Sequence, residues 1–167
     1  MRLWLRTLRR LILLTFLDGS LHMAVSAKLY GGLLLSLANK EINLNTDTFK
    51  VMLCTSSYVP DQDTHRYKSD VTNEITGTGY TAGGATLGSV TVGYTAGTNT
   101  LKFDAADSAW SGSTLTARYA VVYDATPGTD ATRPLICYGD FGADVSTTSG
   151  TFTVTWDAAG IATLTAA

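Results

Sequence analysis

The glycine-rich stretch at residues 70–85 has the spacing that comes closest to a site of chemistry. Its sequence is DVTNEITGTGYTAGGA, and its glycines are Gly77, Gly79, Gly83 and Gly84. A dinucleotide-binding loop needs the pattern G-x-G-x-x-G between a strand and a helix, so that backbone N–H groups can contact phosphate oxygens. Here the third glycine comes one residue late, and the TLGSVTVGY that follows alternates as a strand does. The stretch therefore predicts a sharp backbone bend leading into a strand, with positive φ angles available at the glycines.

Two cysteines, Cys54 and Cys137, could form a disulfide or bind a metal ion. Each lies in a strand-like run, VMLCT and PLICY, and neither belongs to a CxxC motif or is spaced with His22 or His65 as zinc ligands are. Buried free thiols are the expected state, because such a cysteine behaves as a small hydrophobic residue. A disulfide remains the alternative, since it requires only that the two Cα atoms lie within about 7 Å.

A long polar segment at residues 56–69 contains acidic residues and a histidine. The residues that could act in it or beside it are Asp61, Asp63, His65 and Asp70. The aspartates lack the glycine and the final glutamate of an EF-hand calcium loop. We therefore predict a solvated loop in which His65 is a surface residue and the aromatic rings of Tyr58 and Tyr67 are exposed.

Acid–base or nucleophilic catalysis requires several groups held close together, such as a nucleophile with its base or two carboxylates flanking a cleft. Outside the N-terminal segment His65 is the only histidine, and Glu41 and Glu74 are the only glutamates. Asp104 and Asp107 are close in sequence, but one ends a predicted strand and the other begins a predicted loop. The sequence thus predicts no catalytic residue, no cofactor-binding residue and no metal ligand, and we expect a protein that is not an enzyme.

The first 26 residues differ in character from the rest of the chain. Four arginines precede an apolar run at residues 11–17, and VSA at residues 25–27 could be a cleavage site, so the segment resembles a short secretory signal. Alternatively, Met23 is the natural start and the preceding residues are an upstream extension, or the segment is an amphipathic anchor. We expect the extension. The predicted organisation is an N-terminal extension or signal-like segment at residues 1–26 and a single β-rich domain at residues 27–167.

Composition limits the partners of the chain. Charged residues make up 16% of the 167 residues, the net charge is −2, and no basic stripe is visible, so we predict no nucleic-acid partner. The apolar run near the N-terminus is shorter than the roughly 20 residues that cross a bilayer, so we predict no membrane partner. The chain contains 27 threonines and 16 glycines but 3 prolines, which favours strands and tight turns.

Periodicity predicts a mainly β protein with one N-terminal helix. The Leu29, Leu33 and Leu37 spacing predicts the helix over residues 27–40. Strands are predicted at 47–55, 86–94, 100–104, 115–124, 134–141, 151–156 and 161–165, with the last two forming a final hairpin and with loops at 107–112 and 142–150. Alternation in 115–124 places Ala117, Tyr119, Val121 and Tyr123 on one face and Arg118, Ala120 and Val122 on the other. The predicted fold is an antiparallel β-sandwich or open barrel of about seven strands.

Four segments in this order resemble a family of small structural proteins of tailed bacteriophages. They are KLYGGLLLSLANKEINLNTDTFKVML, VTNEITGTGYTAGGATL, ARYAVVYD, and PLICYGDFG leading to TFTVTWDAAGIATL. The second segment is the most distinctive, and together they cover most of residues 27–164. The resemblance is greatest to head decoration or minor capsid proteins.

This resemblance implies a virion component without catalytic residues, assembled in the host cytoplasm. It implies a homo-oligomer whose partners are the major capsid protein or other virion proteins. The alternative function is that of a secreted β-sandwich that binds glycans or a cell surface, suggested by the signal-like N-terminus and by the tyrosine and tryptophan content.

Overall fold

The protein is described here by a computed structural model, which covers residues 10–13 and 24–166. In chain order the elements are β1 (Arg10–Leu13), β2 (Ala24–Leu29), α1 (Gly32–Ala38), β3 (Phe49–Cys54), β4 (Ala85–Thr86), β5 (Thr91–Thr95), β6 (Thr100–Asp104), β7 (Ser108–Asp124), β8 (Leu135–Val154) and β9 (Ala162–Thr165). Single turns of 3₁₀ helix lie at Lys68–Asp70, Ala96–Thr98 and Asp130–Thr132. The prediction for residues 1–26 falls mostly on residues outside the described ones.

The strands form two antiparallel sheets. One has six strands in the order β1-β2-β8-β7-β3-β4, and the other has three in the order β5-β6-β9. Their inner faces pack together, and the rings of Phe49 in β3 and Phe103 in β6 meet edge to face with centroids 5.0 Å apart. The predicted mainly β, antiparallel, sandwich-like fold with one helix is therefore confirmed.

The central part of the six-stranded sheet is buried on both faces. Strand β3 shows why, since its apolar residues occupy both sides of the strand: Phe49, Val51 and Leu53 contact the inner core, and Met52 and Cys54 contact a second cluster on the opposite face. This second cluster, which we call the outer layer, consists of Tyr30, Met52, Cys54, Tyr58, Val121, Tyr123, Leu135 and Tyr138. The segment after β3 supplies Tyr58 to this layer, so burial of the outer face of the sheet depends on that segment.

The hairpin of β7 and β8 is much longer than predicted. The predicted loops at 107–112 and 142–150 are wrong, because residues 108–117 pair with residues 145–154. Serine, threonine and glycine there resemble loop sequence, but one side of the ribbon buries Trp110 and Phe152 while the other side meets water. Register shifts between Trp110 and Leu115 absorb the irregular spacing, as β-bulges do.

A bulge also corrects the predicted faces of β7. The register shifts between Ala117 and Tyr119, so the strand changes face at Arg118. Ala117 therefore contacts the inner core together with Ala120 and Val122, whereas Tyr119 contacts the outer layer. The alternation predicted for residues 118–123 holds, and its extension to Ala117 is wrong.

The helix is shorter than the predicted 27–40. Residues Ala24–Leu29 form β2 and pair with β8, and the helix is confined to Gly32–Ala38. The glycine pair has a packing reason, since a Cβ on Gly32 would lie 2.8 Å from Cγ of Arg66. Leu33 is buried, but Leu34 and Leu35 are 48% and 50% exposed. Within residues 10–13 and 24–166, we find no helix long and apolar enough to span a membrane.

Strand β9 does not form the predicted final hairpin with the end of β8. It pairs with β6, where Ala162 lies opposite Phe103. The turn at residues 157–160 carries the chain from one sheet to the other, and Gly160 has φ +101° there, with Phe103 O only 2.8 Å from the position of an added Cβ. The chain therefore crosses from the six-stranded sheet to the three-stranded sheet at this turn.

Candidate functional site

The glycine-rich stretch closes on itself around the carboxylate of Glu74. Its Oε1 accepts hydrogen bonds from the Tyr80 hydroxyl at 2.8 Å and from the Gly83 N–H at 2.6 Å. The Tyr80 oxygen accepts a further bond from the Leu53 N–H at 3.0 Å, and the Tyr123 hydroxyl donates to the Gly83 carbonyl at 2.8 Å. Because Glu74 already occupies the Gly83 N–H, this loop presents a negative charge where a phosphate loop would present free donors.

The same loop lies in backbone contact with the six-stranded sheet. Gly84 has φ +75°, and a Cβ there would lie 1.9 Å from the Val51 carbonyl oxygen. Gly79 has φ +82°, and its added Cβ would lie 3.0 Å from Cα of Ser113. The predicted bend with positive φ is confirmed. The strand predicted at 86–94 is divided, because the two-residue β4 follows the bend directly and β5 begins at Thr91 in the other sheet. The glycines are needed for this close approach and form no ligand cradle.

The predicted surface histidine belongs to a hydrogen-bonded chain in the outer layer. The Tyr30 and Tyr58 hydroxyl oxygens lie 2.8 Å apart, and the Tyr58 oxygen lies 3.0 Å from Nδ1 of His65. The Asp61 N–H also points at that nitrogen, so Nδ1 acts as an acceptor and the chain runs from Tyr30 to Tyr58 to His65. The imidazole stacks on Tyr58 with centroids 5.7 Å apart.

This arrangement overturns two predictions about the segment at 56–69. Tyr58 is 1% exposed, so it is no contact residue, and the half-buried His65 is a partner within the layer. Burial raises the pKa of Tyr58 to about 12 and that of Tyr30 further still. Both hydroxyls therefore stay protonated at neutral pH and tie the segment to the sheet. Tyr67 is half-buried, and its ring lies beneath the Arg66 guanidinium, 4.9 Å from the ring centroid.

The aspartates of this segment bind its own backbone. Asp61 Oδ1 accepts from the N–H groups of Asp63 and Thr64, and Asp70 Oδ2 accepts from two more, those of Arg66 and Tyr67. Across the described residues, we see no group of three or more histidine, cysteine, aspartate or glutamate side chains that could hold a metal ion. The acidic residues therefore order the loop, as Asx turns and caps do.

The two cysteines are free and buried, as predicted. Cys54 contacts the outer layer and Cys137 the inner core. Burial raises the pKa of each thiol to about 12, so neither is a thiolate at neutral pH. Since the thiolate is the reactive form, both thiols act as packing groups.

Asp124, at the end of β7, is a buried acid that sequence reasoning missed. It is fully buried, its Oδ1 accepts from the Thr126 N–H at 2.8 Å, and its Oδ2 is buried without a partner. Burial, reinforced by the neighbouring carboxyl of Asp47, raises the pKa of Asp124 to about 6. When Asp124 is protonated, its carboxyl can donate to the carboxylate of Asp47 and so joins the two segments. The sequence does not indicate this burial, because an aspartate that ends a strand before Ala-Thr-Pro is usually part of an exposed turn.

We expect Asp124→Asn to flatten the pH dependence of stability. An acid whose pKa is higher in the folded state stabilises the fold fully below its unfolded pKa of about 3.9, and the benefit is lost as the pH rises to about 6. Asparagine keeps a donor towards Asp47 at every pH. Urea unfolding should show that the wild type loses about 2 kcal/mol more than the variant between pH 4 and pH 7. Asp63→Asn, on the exposed loop, should leave the wild-type profile unchanged, and parallel profiles for Asp124→Asn would contradict the shared proton.

Two exposed stretches of strand carry no charged side chain. The first, which we call the hydroxyl face, is the solvent side of the long hairpin and consists of Ser111, Thr114, Thr116, Ser146, Thr148 and Thr151. Its side chains bond to one another and to the ribbon, as Thr116 does to Ser146 at 2.8 Å. The second is strand β5, where Tyr94 is 64% exposed. Both are candidates for contact with other proteins.

Comparison with protein-family models, with curated proteins and with solved structures gives no match to the chain.

Proposed function

We propose that the protein is a structural component of a tailed-phage particle, a capsid decoration or cement protein or a minor head protein. The observation that carries this proposal is a resemblance in sequence: four segments over residues 27–164 follow the same order as in a family of small structural proteins of tailed bacteriophages. The most distinctive of them is the run VTNEITGTGYTAGGATL. The glycines of this run permit backbone contact with the sheet that side chains would block. Because these glycines are sterically required, a resemblance in this run is more specific than a resemblance in ordinary alternating strands.

The rigidity of the domain supports a structural role. The central part of the six-stranded sheet is packed on both faces, and the segment at 56–70 is held down by Tyr58 and by the Arg66–Glu41 ion pair at 2.8 Å. A protein that reinforces a lattice has to keep one shape under load, and it needs surfaces that match those of its neighbours. The hydroxyl face offers such a surface with no charge to desolvate.

The distribution of charge favours protein partners over nucleic acid. Arg66, Lys68, Lys102, Arg118 and Arg133 each lie within 2.8 Å of a carboxylate. Cations that are already paired contribute little to phosphate binding, which depends on free lysine and arginine. The buried hydroxyls and thiols are held protonated, so the role we propose for them is packing, without catalysis.

The proposal predicts that the protein sediments with intact particles of the phage that encodes it. Gradient-purified particles should contain it in a fixed ratio to the major capsid protein by quantitative mass spectrometry. Thr116→Lys, at the centre of the hydroxyl face, should reduce incorporation at least tenfold if that face meets the particle, because a buried unpaired charge is costly. Ser69→Lys, on an exposed loop, is the matched control and should be incorporated normally. Absence of the wild-type protein from particles would contradict the proposed function.

A secreted glycan-binding sandwich is supported less well. Such sites stack sugars on exposed aromatic rings, but Trp110 and Trp156 are each 6% exposed and Tyr58 is buried, whereas the 64% exposed ring of Tyr94 has no second exposed ring of this size beside it among the described residues. A glycan array measures this alternative directly, and specific binding to one class of sugar would favour it over the particle role.

A further inference from the structure

Strand β5 is an unprotected sheet edge. It is the outer strand of the three-stranded sheet, and in the part of the chain that the structure describes no strand pairs with its other side. Edge strands usually carry a lysine, a proline or a bulge that prevents pairing with another chain. The sequence of β5 is TVGYT, with none of these, and four of its five residues are exposed. Its free backbone groups are therefore a ready template for a further strand.

The sequence of β5 is complementary to itself. Val92 lies opposite Phe103 and Tyr94 opposite Leu101, so both point to the core side of the sheet, while Gly93 points to the solvent side. A two-fold axis perpendicular to the sheet pairs residues that point to the same side. The register with the longest overlap places Gly93 opposite its own copy, Val92 opposite Tyr94, and Thr91 opposite Thr95.

Each of these pairs is favourable. Valine opposite tyrosine and threonine opposite threonine are stabilising cross-strand pairs. Glycine within a strand often marks the close approach of another backbone. The ring of Tyr94 is 64% exposed in the single chain and would gain an apolar neighbour in Val92 of the second copy.

Charge also favours a second copy as the occupant. The chain has a net charge of −2, so two copies repel unless their contact is free of acidic groups. Strand β5 has no charged residue, and on the neighbouring β6 Asp104 is paired with Lys102 at 2.7 Å. Like charges therefore do not meet across the proposed axis.

We infer that two copies of the chain pair through β5, antiparallel and centred on Gly93, to give one continuous six-stranded sheet. The contact of two five-residue strands is small beside the roughly 1,200–2,000 Å² of stable specific interfaces. The dimer is accordingly weak in dilute solution, with a dissociation constant in the micromolar to millimolar range, and it is populated when many copies are held close together. Self-pairing is a property of the free chain, so its test gives a result whether or not the protein is part of a phage particle.

Disulfide trapping of single-cysteine additions tests the register. In the proposed pairing the two Gly93 Cα atoms lie about 4.5–5.5 Å apart, within disulfide range. Gly93→Cys should therefore form a covalent dimer under mild oxidation, and added atoms meet nothing within 4 Å at this position. The native cysteines contribute no background, because Cys54 and Cys137 are 0% and 1% exposed.

Thr91→Cys and Thr95→Cys are the matched controls. Each residue lies about 14 Å along the strand from its own copy, so neither variant alone should cross-link, whereas an equal mixture should give the mixed dimer. Equal cross-linking of all three variants would indicate random collision and would overturn the inference, as would the absence of Gly93→Cys dimer.

Sedimentation equilibrium gives a measurement without oxidation. At about 1 mM, the upper end of the expected dissociation constant, the wild-type weight-average mass should rise clearly above 17.7 kDa. Gly93→Asp, which places two carboxylates opposite each other, should stay at the monomer mass. Gly97→Asp, in the open hairpin turn, should associate as the wild type does. A monomeric wild type at this concentration would overturn the inference.

Discussion

Gly84→Ala should unfold the protein or lower its free energy of unfolding by about 4 kcal/mol or more. The added Cβ would lie 1.9 Å from the Val51 carbonyl oxygen and 2.7 Å from Cα of Met52, and both are backbone atoms of a buried strand that cannot rotate away. The φ angle of +75° adds strain of its own for any residue with a side chain. Relief requires that the loop detach from β3, which would break the pairing of Val51 with Ala85. Circular dichroism and urea unfolding measure the loss.

Gly88→Ala is the control for this substitution. Gly88 lies four residues further along, is exposed, and has open space around an added Cβ without a positive φ angle. Alanine there should change the free energy of unfolding by less than about 0.5 kcal/mol, or stabilise slightly by restricting the unfolded chain. If both substitutions had the same small effect, the close contact between the glycine loop and β3 would not be needed for the fold.

Tyr58→Phe should lower the free energy of unfolding by about 2–4 kcal/mol. The Tyr58 hydroxyl accepts from Tyr30 and donates to His65, so its removal leaves the buried Tyr30 hydroxyl without an acceptor and leaves Nδ1 of His65 with only the longer bond from the Asp61 N–H, at 3.4 Å. The Tyr30 hydroxyl has no route to water, because the residue is 1% exposed. The loop at 56–70 should open more often as a result, which limited proteolysis and amide hydrogen exchange measure directly.

Tyr30→Phe separates the hydroxyl chain from simple packing. It removes the terminal donor but leaves the bond from Tyr58 to His65 intact, so we expect a smaller loss of about 1 kcal/mol and no increase in loop proteolysis. A loss as large as that of Tyr58→Phe, with equal loop opening, would show that the direction assigned to the chain of hydrogen bonds is wrong.

Local alternation was enough to predict several elements. Strands β3 and β6, the turn between β5 and β6, and the buried state of Cys54 and Cys137 follow from runs in which apolar residues recur at every second position or fill both faces. The bend at the glycine-rich stretch was predictable for the same reason, since consecutive glycines before a strand have few other uses. These features depend on residues close together in the chain.

The misjudged elements all depend on distant partners. Residues 142–150 look like a loop by composition, but they become a strand because residues 108–117 lie beside them. Residues 27–29 look like the start of a helix, but β8 offers them a strand edge. Tyr58 looks like an exposed loop aromatic, and the outer face of the sheet buries it. Propensity yields in each case to a backbone or side-chain partner far away in sequence.

The sequence by itself determined that this protein is mainly β, that its strands are antiparallel and that its glycine-rich stretch is a bend. Period-two alternation and steric freedom at glycine act within a few residues, so they can be read from the chain alone. Only the tertiary structure decided that Gly84 touches Val51, that the buried Asp124 lies beside the carboxyl of Asp47, and that β5 has an open edge. Each of these depends on which strands become neighbours, and that choice is made by burial of the whole core.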